Sequence, residues 1–352
     1  MNKPKLAFFS LAHSHSTILF DAISKSGAFD IIGFAEVTNP PCDAQNYEAR
    51  RKVFLDGGCK EFLDYKELAN EKPDVAIINS TNHHHEEIAI YLMKQGINVV
   101  VEKPLSVDVK GAKKMIKTAK ENGVFLLTNW PIAWFPPFRL AKKILDSGRI
   151  GKLMKVTYRS PATWGPFADI IGESAQTSWW LEKDMGGGSI LDYACYGSIL
   201  GAFMFDKAPV SVQGLTKKFA TKNFNVEDYS AMMIDYGDGV GLLEGSWATY
   251  NCGEVPSGPV LHGTKGTIVC DRYSQIVKIF DGKSKIPVPP TEVIDAGTTK
   301  QDEEFGKHLA KVLAGEEKPD IMLDTELNLW AVATYDAGRK SAKTGKAIKI
   351  KI

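Results

Sequence analysis

Short apolar runs alternate with longer segments of helical periodicity through the first 128 residues. Between the runs, apolar residues recur at helical spacing, as at Ile18, Leu19, Ala22 and Ile23. This alternation is typical of parallel strands that are connected by helices. We therefore expect residues 1–129 to form an open, doubly wound parallel sheet of the nucleotide-binding kind. The runs predict strands at Lys5–Phe9, Ile31–Glu36, Val75–Asn79, Asn98–Val101 and Val124–Thr128.

The pattern changes after a Pro- and Trp-rich stretch at Trp130–Pro137, where neither a strand nor a helix interior is expected. A helical segment runs to Asp146, and helical periodicity returns at Asp302–Ala314 and Asp324–Ser341. Between these segments, apolar and polar residues alternate, with Gly-rich turns. We expect residues 130–352 to form an α+β domain with a large, mostly antiparallel open sheet, which binds substrate and pairs in a homodimer or homotetramer. The alternation predicts strands at Leu153–Ser160, Val210–Ala220, Tyr229–Tyr236, Gly239–Tyr250 and Gly266–Asp271.

Composition and charge exclude several classes of protein. The 352 residues exceed one ordinary core, so two domains are expected. Lysine and arginine number 43 against 42 acidic residues, without a dense basic run, which argues against nucleic acid. No segment approaches the ~18 to 20 apolar residues of a membrane span, and polar residues interrupt the apolar N-terminus. The 5 cysteines show no CxxC spacing, which favours reduced thiols and a cytoplasmic protein.

The turn after the first predicted strand reads FSLAHSH and lacks the G-x-G-x-x-G fingerprint. Helix N-termini at the carboxyl edge of a parallel sheet favour phosphate. Small Ser10 and Ala12 permit a close backbone approach, and His13 and His15 offer donors to a pyrophosphate. The alternative is a plain helix start, capped by the serine at position 14 or 16. Glu36, at the end of the second strand, would accept ribose hydroxyls and repel a 2′-phosphate, which favours NAD over NADP.

Two further strand ends present polar side chains. One loop contains three consecutive histidines, His83–His85, but adjacent side chains diverge and rarely chelate one ion, so no metal site is expected. Lys103, beside Glu102, is the better chemical candidate, because a lysine in a closed, cation-rich crevice can lose its proton near neutrality. The predicted cofactor-binding residues are Ser10, Ala12, His13, His15, Glu36, Ser80, Thr81, Asn82, His85, Glu102 and Lys103.

Two motifs carry a resemblance to a known family. The segment PDVAIINSTNHHHEEIAIYLMKQGINVVVEKPL at Pro73–Leu105, followed by GGGSILDYACY at Gly186–Tyr196, resembles the glucose-fructose oxidoreductase, inositol dehydrogenase and MocA superfamily. The resemblance implies a Rossmann-type NAD(P)-binding domain, and it implies that Lys103, Asp192 and Tyr196 are catalytic. If the chain is helical from position 189, Asp192 and Tyr196 share one face. The chain departs from the family at the SLAHSH turn and lacks an arginine that is common after the last parallel strand.

The resemblance implies an NAD-dependent oxidoreductase that transfers hydride between nicotinamide and a hydroxyl or carbonyl carbon of a sugar, cyclitol or related cyclic diol. Tyr196, polarised by Lys103, would exchange the hydroxyl proton while Asp192 orients its partners. Aromatic rings suit the C–H face of such a substrate. Three alternatives stay open: a non-catalytic ligand-sensing regulator, a glycoside hydrolase that uses NAD, and a metal-dependent hydrolase. The predicted substrate-binding residues are Lys103, Trp130, Trp164, Trp179, Asp192 and Tyr196.

Overall fold

The computed structural model describes residues 3–42, 44–161, 178–249, 255–282, 286, 288–298 and 301–352, and the chain divides into two compact units. The sequence places one boundary after residue 129. In the structure the chain returns twice to the first unit. Unit 1 contains Met1–Trp130, Gln176–Gly187 and Lys300–Leu329. Unit 2 contains Pro131–Ala175, Gly188–Thr299 and Trp330–Ile352.

Unit 1 is built on a six-stranded parallel sheet in the order β3-β2-β1-β4-β5-β6. This is the doubly wound order in which the topology reverses beside β1. The central strand β4 is buried along its whole length, as expected for a parallel sheet covered on both faces. The predicted fold of this unit is confirmed. Its strands are β1 Lys5–Phe9, β2 Asp30–Ala35, β3 Glu61–Phe62, β4 Val75–Ile78, β5 Asn98–Glu102 and β6 Leu126–Asn129.

The helices of the described residues begin and end mostly where the periodicity changes. Asp108 caps α5, because its carboxylate accepts a hydrogen bond from the Gly111 N–H at 2.8 Å. Helix α8 packs against α1 at Gly306, where a Cβ would lie 2.3 Å from Ser26 Oγ. The helices are α1 His15–Ser26, α2 Ala44–Asp56, α3 Tyr65–Asn70, α4 His85–Met93, α5 Val109–Asn122, α6 Pro136–Asp146, α7 Cys195–Phe205, α8 Gln301–Leu313 and α9 Thr325–Thr344.

Unit 2 contains a nine-stranded sheet in the order β14-β13-β12-β11-β7-β10-β9-β8-β15. Its strand pairs are antiparallel except β7 with β10, which confirms the predicted mostly antiparallel sheet. Helix α7 packs closely on this sheet at Gly197, where a Cβ would lie 3.1 Å from the Tyr158 ring. The strands are β7 Leu153–Pro161, β8 Ser211–Lys217, β9 Tyr229–Asp235, β10 Val240–Ser246, β11 Val260–Gly263, β12 Gly266–Asp271, β13 Ile276–Asp281, β14 Glu292–Asp295 and β15 Ile348–Lys349.

Strands β7, β10 and β12 of the unit 2 sheet run in the same direction, as do β8 and β14. Strand β10 is parallel to β7, and β12 is antiparallel to β11, which is itself antiparallel to β7. The carboxyl ends of β7, β10 and β12 therefore lie along one edge of the sheet. The residues that follow β10 and β12 are Trp247 and Arg272.

The described cysteines are free thiols, at Cys42, Cys59, Cys195 and Cys270. Among the described helices, none combines the length and the apolar character that a membrane crossing requires.

Candidate active site

A buried loop at the end of β5 holds Glu102 and Lys103, whose exposed fractions are 0% and 2%. Glu102 Oε2 accepts a hydrogen bond from Asn129 Nδ2 at 2.8 Å, and Glu102 Oε1 lies 2.8 Å from His15 Nδ1. Burial by itself raises the pKa of Glu102, but His15, Lys103 and Asn129 together hold it below its usual value. Glu102 is therefore an anion that fixes the loop in place.

The Lys103 side chain is positioned by an aromatic ring and by a neighbouring histidine. Its Nζ lies 5.4 Å from the centre of the Trp180 ring, a cation–π distance. His85 supports the same loop, since its Nδ1 lies 3.0 Å from the Pro104 carbonyl oxygen and its Nε2 lies 3.3 Å from that of Ser80. Burial lowers the pKa of His85 to about 4, so the ring is neutral at pH 7 and its Nδ1–H donates to Pro104.

The turn after β1 is held from both sides by side chains. The Leu11 N–H donates to Glu36 Oε2 at 3.1 Å, and the Ala12 N–H donates to Ser10 Oγ at 3.2 Å. Arg50, from α2, donates from Nη1 to the carbonyl oxygens of Leu11 and Ala12, at 2.8 Å each. The Arg50 guanidinium therefore lies beside the turn that is expected to bind phosphate. This cation comes from α2 and not from a residue that directly follows Glu36 in sequence.

A histidine, and not a serine, caps α1. Ser14 occupies the N-cap position without a side-chain capping bond, and the hydroxyl of Ser16 is buried without a partner among the described residues. Instead, the His15 N–H donates to His13 Nδ1 at 3.0 Å. Ser14 therefore takes the N-cap position that the alternative from sequence gave it, but its side chain does not cap the helix.

His13, His15 and Glu102 have the spacing of a metal site but not its hydrogen bonding. One nitrogen of each ring and one carboxylate oxygen all lie within 4.8 Å of one another. Burial lowers the pKa of His13, so its ring is neutral. Because His13 Nδ1 accepts the His15 N–H, its Nε2 carries the proton and has no lone pair for a metal. The arrangement favours an N–H that donates to a polar ligand. The absence of a metal stays a prediction.

Two stacked tryptophans cover the turn. Trp179 Nε1–H donates to the Ala12 carbonyl oxygen at 3.2 Å, and the ring centres of Trp179 and Trp180 lie 3.8 Å apart. The Trp180 ring lies 5.1 Å from the His13 ring. Trp179 is completely enclosed, so we assign it to packing over the nucleotide turn, whereas the sequence predicts a substrate contact.

The glycine run that opens the second motif has a steric cause. A Cβ at Gly187 would lie 2.2 Å from the Trp180 carbonyl oxygen. In unit 2, a Cβ at Gly188 would lie 2.6 Å from Glu227 Oε1. Real Cβ atoms do not approach a backbone oxygen that closely, so Gly187 has no room for a side chain. Gly188 has a φ of +105°, a conformation that residues with a Cβ rarely adopt, so glycine is favoured there as well. Packing at Gly187 and backbone conformation at Gly188 thus explain the run.

The second motif continues as a π-helical turn, Ile190–Ala194, followed directly by α7. Asp192 Oδ2 accepts a hydrogen bond from Trp247 Nε1–H at 2.9 Å, and Tyr196 is buried in the first turn of α7. Strand β10 comes close to the turn at Gly245, where a Cβ would lie 2.5 Å from Ala194 N. The predicted helix is present, but its wider π turn differs from the regular spacing that the sequence suggests. Such π turns are frequent at functional sites.

Two family models match the chain. The one described as the oxidoreductase family with an NAD-binding Rossmann fold matches residues 43–129, and the GFO/IDH/MocA C-terminal domain matches residues 138–269. Together the matches cover more than half of the chain. The chain belongs to the GFO/IDH/MocA family. It is an oxidoreductase with an NAD-binding Rossmann domain, so the predicted family, enzyme class and fold are confirmed.

Curated relatives and a solved structure share this organisation. A 1,5-anhydro-D-fructose reductase of Ensifer adhaerens is 24% identical over 301 residues, which are 83% of this chain and 84% of the relative. A trans-1,2-dihydrobenzene-1,2-diol dehydrogenase of Xenopus tropicalis is 26% identical over 238 residues, which are 66% of this chain and 67% of the relative. The structure of an oxidoreductase domain protein from Kribbella flavida has a TM-score of 0.81, 18% identity and 100% coverage of both chains.

The polar side chains of unit 1 are suited to bind the NAD that the GFO/IDH/MocA family uses. Buried polar atoms normally have hydrogen-bond partners, but several along the carboxyl edge of this sheet have none among the described residues. Dinucleotides bind at this edge of a doubly wound sheet and offer hydroxyl, phosphate and amide groups to such atoms. The atoms without partners are His13 Nε2, both amide atoms of Asn79, Asn82 Oδ1, Thr128 Oγ1 and Asn129 Oδ1.

The structure sorts the residues predicted from sequence between the units. Asp192 and Tyr196 belong to unit 2, and Trp164 lies outside the described residues. Lys103, Trp130, Trp179 and every predicted cofactor-binding residue belong to unit 1. The loop after β4 buries the side chains of Ser80, Thr81, Asn82 and His85.

Two of these residues have structural contacts that replace the predicted role. Trp130 is buried, and its Nε1–H donates to Asn328 Oδ1 at 2.7 Å, so its polar group is already used. Both nitrogens of His85 face backbone carbonyl oxygens. We therefore assign Trp130 to packing and His85 to positioning of the Lys103 loop, in place of the substrate and cofactor contacts expected from sequence.

The three neighbouring histidines, His83–His85, do not all face one point. Thr81 Oγ1 lies 3.0 Å from Nδ1 of His83 and 3.0 Å from Nδ1 of His84, whereas His85 turns to Pro104. His83 and His84 thus share one partner, with ring centres 3.7 Å apart, and of the three only His85 points elsewhere. The absence of a metal from these histidines stays a prediction.

Sequence reasoning missed Arg50 and Trp247, both of which support predicted site residues. Arg50 lies on α2, a helix that the apolar pattern does not predict. Trp247 lies in the predicted strand Gly239–Tyr250, but strand alternation does not reveal its bond to Asp192. Both contacts depend on tertiary folding, and the carboxyl-edge position of Trp247 appears only in the structure, where the strand ends at Ser246.

Proposed function

We propose that this chain is an NAD-dependent dehydrogenase or reductase that acts on a hydroxyl or carbonyl carbon of a sugar, cyclitol or related cyclic diol. The observation that carries the proposal is the buried Lys103, held at the carboxyl edge of an NAD-binding sheet by Glu102 and Trp180. The names of the two curated relatives, a sugar reductase and a cyclic diol dehydrogenase, support this substrate class. Assembly as a homodimer or homotetramer stays a prediction.

Three side chains divide the chemistry in this proposal. NAD, when bound, would supply a nicotinamide ring for hydride exchange with the substrate carbon. Tyr196 takes the proton from the substrate hydroxyl during oxidation and returns it during reduction. Lys103 stabilises the negative charge that develops on that oxygen, and its enclosed position strengthens the effect because water is excluded. Asp192, whose carboxylate is fixed by the Trp247 indole, orients the proton-transfer group.

The proposed preference for NAD over NADP depends on Glu36. Its Oε2 accepts the Leu11 N–H at 3.1 Å and its Oε1 accepts the Val37 N–H at 2.9 Å. Burial raises the pKa of Glu36, while hydrogen bonds from Ser10, Val37 and Leu11 oppose that rise. A ribose hydroxyl that reaches this turn would donate to the same carboxylate. A 2′-phosphate at that place would meet a negative charge.

Titration with NADH and separately with NADPH at pH 8, followed by nicotinamide fluorescence, tests this cofactor choice. We expect the wild-type protein to bind NADH at least about tenfold more tightly, because like charges in a partly buried site repel. Glu36→Gln should bring the ratio of the two dissociation constants closer to one, because it removes the negative charge and keeps the shape of the side chain. Asp30→Asn, at the exposed start of β2, the strand that precedes Glu36, is the matched control and should leave the ratio unchanged.

Equal affinity for the two cofactors would show that Glu36 does not select the ribose. Binding of neither cofactor would overturn the proposed hydride transfer and favour a regulatory role for the fold.

A further inference from the structure

Arg272 is a charged side chain with no acidic partner among the described residues. It follows β12, it is partly buried, and its enclosed Nε has no hydrogen-bond partner in the described part of the chain. Its guanidinium contacts Tyr273, since Nη2 donates to the phenol oxygen and Cζ lies 4.6 Å from the ring centre. Several described arginines pair with carboxylates, as Arg149 does with Asp281 and Arg159 with Glu244. Arg272 therefore differs from them.

The adjacent carboxylate, Asp271, does not serve as the partner of Arg272. Its Oδ1 accepts hydrogen bonds from the N–H groups of Tyr273 and Ser274, at 2.9 Å each. Its Oδ2 lies 3.2 Å from the donating hydroxyl of Ser257. Burying a charged group without a counter-charge is costly, and such groups in proteins are normally paired. The guanidinium thus has capacity for a negative group from outside the described chain.

Arg272 lies at the same edge of the unit 2 sheet as Trp247, the hydrogen-bond partner of Asp192. The carboxyl ends of β10 and β12 share that edge, and Trp247, after β10, donates to Asp192. The Arg272 guanidinium also interacts electrostatically with the phenols of Tyr158 and Tyr196. Burial raises the pKa of Tyr158, and the Arg272 cation opposes that rise. A substrate whose hydroxyl reaches Tyr196 would therefore lie within the field of Arg272.

We propose that Arg272 binds a carboxylate of the substrate, which makes the substrate a sugar acid: a hydroxylated ring or chain that carries a carboxylate. A guanidinium presents paired N–H donors that match the two carboxylate oxygens. A phosphate is disfavoured, because its second negative charge would meet Asp271 without a second cation. This inference rests on the proposed function for its catalytic part, but binding of the acid does not depend on turnover.

Calorimetric titration with D-glucuronate, D-glucose and D-glucose 6-phosphate tests the proposal without any hydride transfer. Glucuronate and glucose differ only in the carboxylate, so the wild-type protein, saturated with NADH, should bind glucuronate at least about tenfold more tightly. Arg272→Gln should weaken glucuronate binding by about 10- to 100-fold, the value of a charge-assisted hydrogen bond. Arg272→Lys, which keeps the positive charge but loses the paired N–H donors, should give an intermediate affinity.

Arg159→Gln is the matched control. Arg159 is adjacent to Tyr158 on β7, so its side chain points to the opposite face of the sheet, where it pairs with Glu244. This variant should bind glucuronate like the wild type, and thermal unfolding should show that all three variants are folded. Equal binding of glucose and glucuronate by the wild type, or a preference for glucose 6-phosphate, would overturn the proposal. So would an unchanged glucuronate affinity in Arg272→Gln.

Steady-state kinetics distinguish a failure of the proposed acid site from a failure of the proposed function. With NAD and each sugar, the ratio of kcat/KM for glucuronate to that for glucose should exceed about ten in the wild type and fall in Arg272→Gln. Tight, Arg272-dependent binding of glucuronate without NADH formation would support the acid site and count against the proposed hydride transfer from such sugars. Turnover of neutral sugars with no preference for acids would support the enzyme and overturn the acid site.

Discussion

Replacing Lys103 by methionine is expected to reduce turnover by a factor on the order of 10³ while the dissociation constant of NADH changes by only a few fold. The exposed fraction of Lys103 is 2%, and methionine fills similar space without the charge. The variant therefore loses the cation that stabilises the substrate oxygen and keeps the packing of the loop. Steady-state kinetics with NAD and a turned-over sugar, together with an NADH fluorescence titration, measure the two quantities.

Lys94→Met is the matched control for that experiment, because Lys94 is an exposed lysine of the same unit, at the end of α4. Its kinetics should equal those of the wild type. A Lys103→Met variant that retains most of its turnover would contradict the role given to Lys103. A parallel loss of NADH affinity would instead make the side chain a cofactor ligand.

Tyr196→Phe is expected to lower kcat by about 10²- to 10⁴-fold with little change in KM, because only the proton-transfer group is removed. The phenyl ring keeps the packing of this buried side chain. Tyr193→Phe is the control, since Tyr193 lies one turn earlier and also loses only a hydroxyl. Steady-state kinetics across a pH range should show that the wild-type profile loses one ionisation in Tyr196→Phe.

Nearly full activity in Tyr196→Phe would place the proton transfer on another group, with Lys103 as the first alternative. An equal loss in Tyr193→Phe would indicate that the π turn is sensitive to any hydroxyl removal, and the assignment to Tyr196 would then fail.

The strands that carry a clear apolar signal were predictable from the sequence. Strand β1 has the predicted bounds, Lys5–Phe9, because its buried residues form one uninterrupted run. Strand β3 was missed because it consists of only two residues, Glu61 and Phe62, that pair with the end of β2. Strand β3 forms because it pairs with β2, and its own two residues show no alternation of apolar and polar positions from which a strand could be predicted. The same reason explains β15, a two-residue strand that pairs with β8.

The site was predictable where one strand end decides the position of a side chain. Glu36, Glu102 and Lys103 follow directly from the rule that ligands meet the carboxyl edge of a parallel sheet. Contacts between distant segments were not predictable. Trp179 returns to the turn of β1 from a segment 167 residues later, and the π turn around Asp192 depends on packing against Gly245. The helix and strand propensities of individual residues predict neither of these contacts.

The most direct test of hydride transfer uses sugars that are deuterated at their carbinol carbons. The protein is incubated with NAD and, separately, with deuterated D-glucuronate, D-gluconate, D-glucose or myo-inositol, and the NADH is examined by mass spectrometry. We expect at least one of these substrates to transfer a single deuterium to the nicotinamide ring, with a sugar acid giving the fastest transfer. The absence of transfer from all of them, by a protein that binds NAD, would contradict the account. Hydrolysis of a glycoside without net NADH formation would contradict it equally.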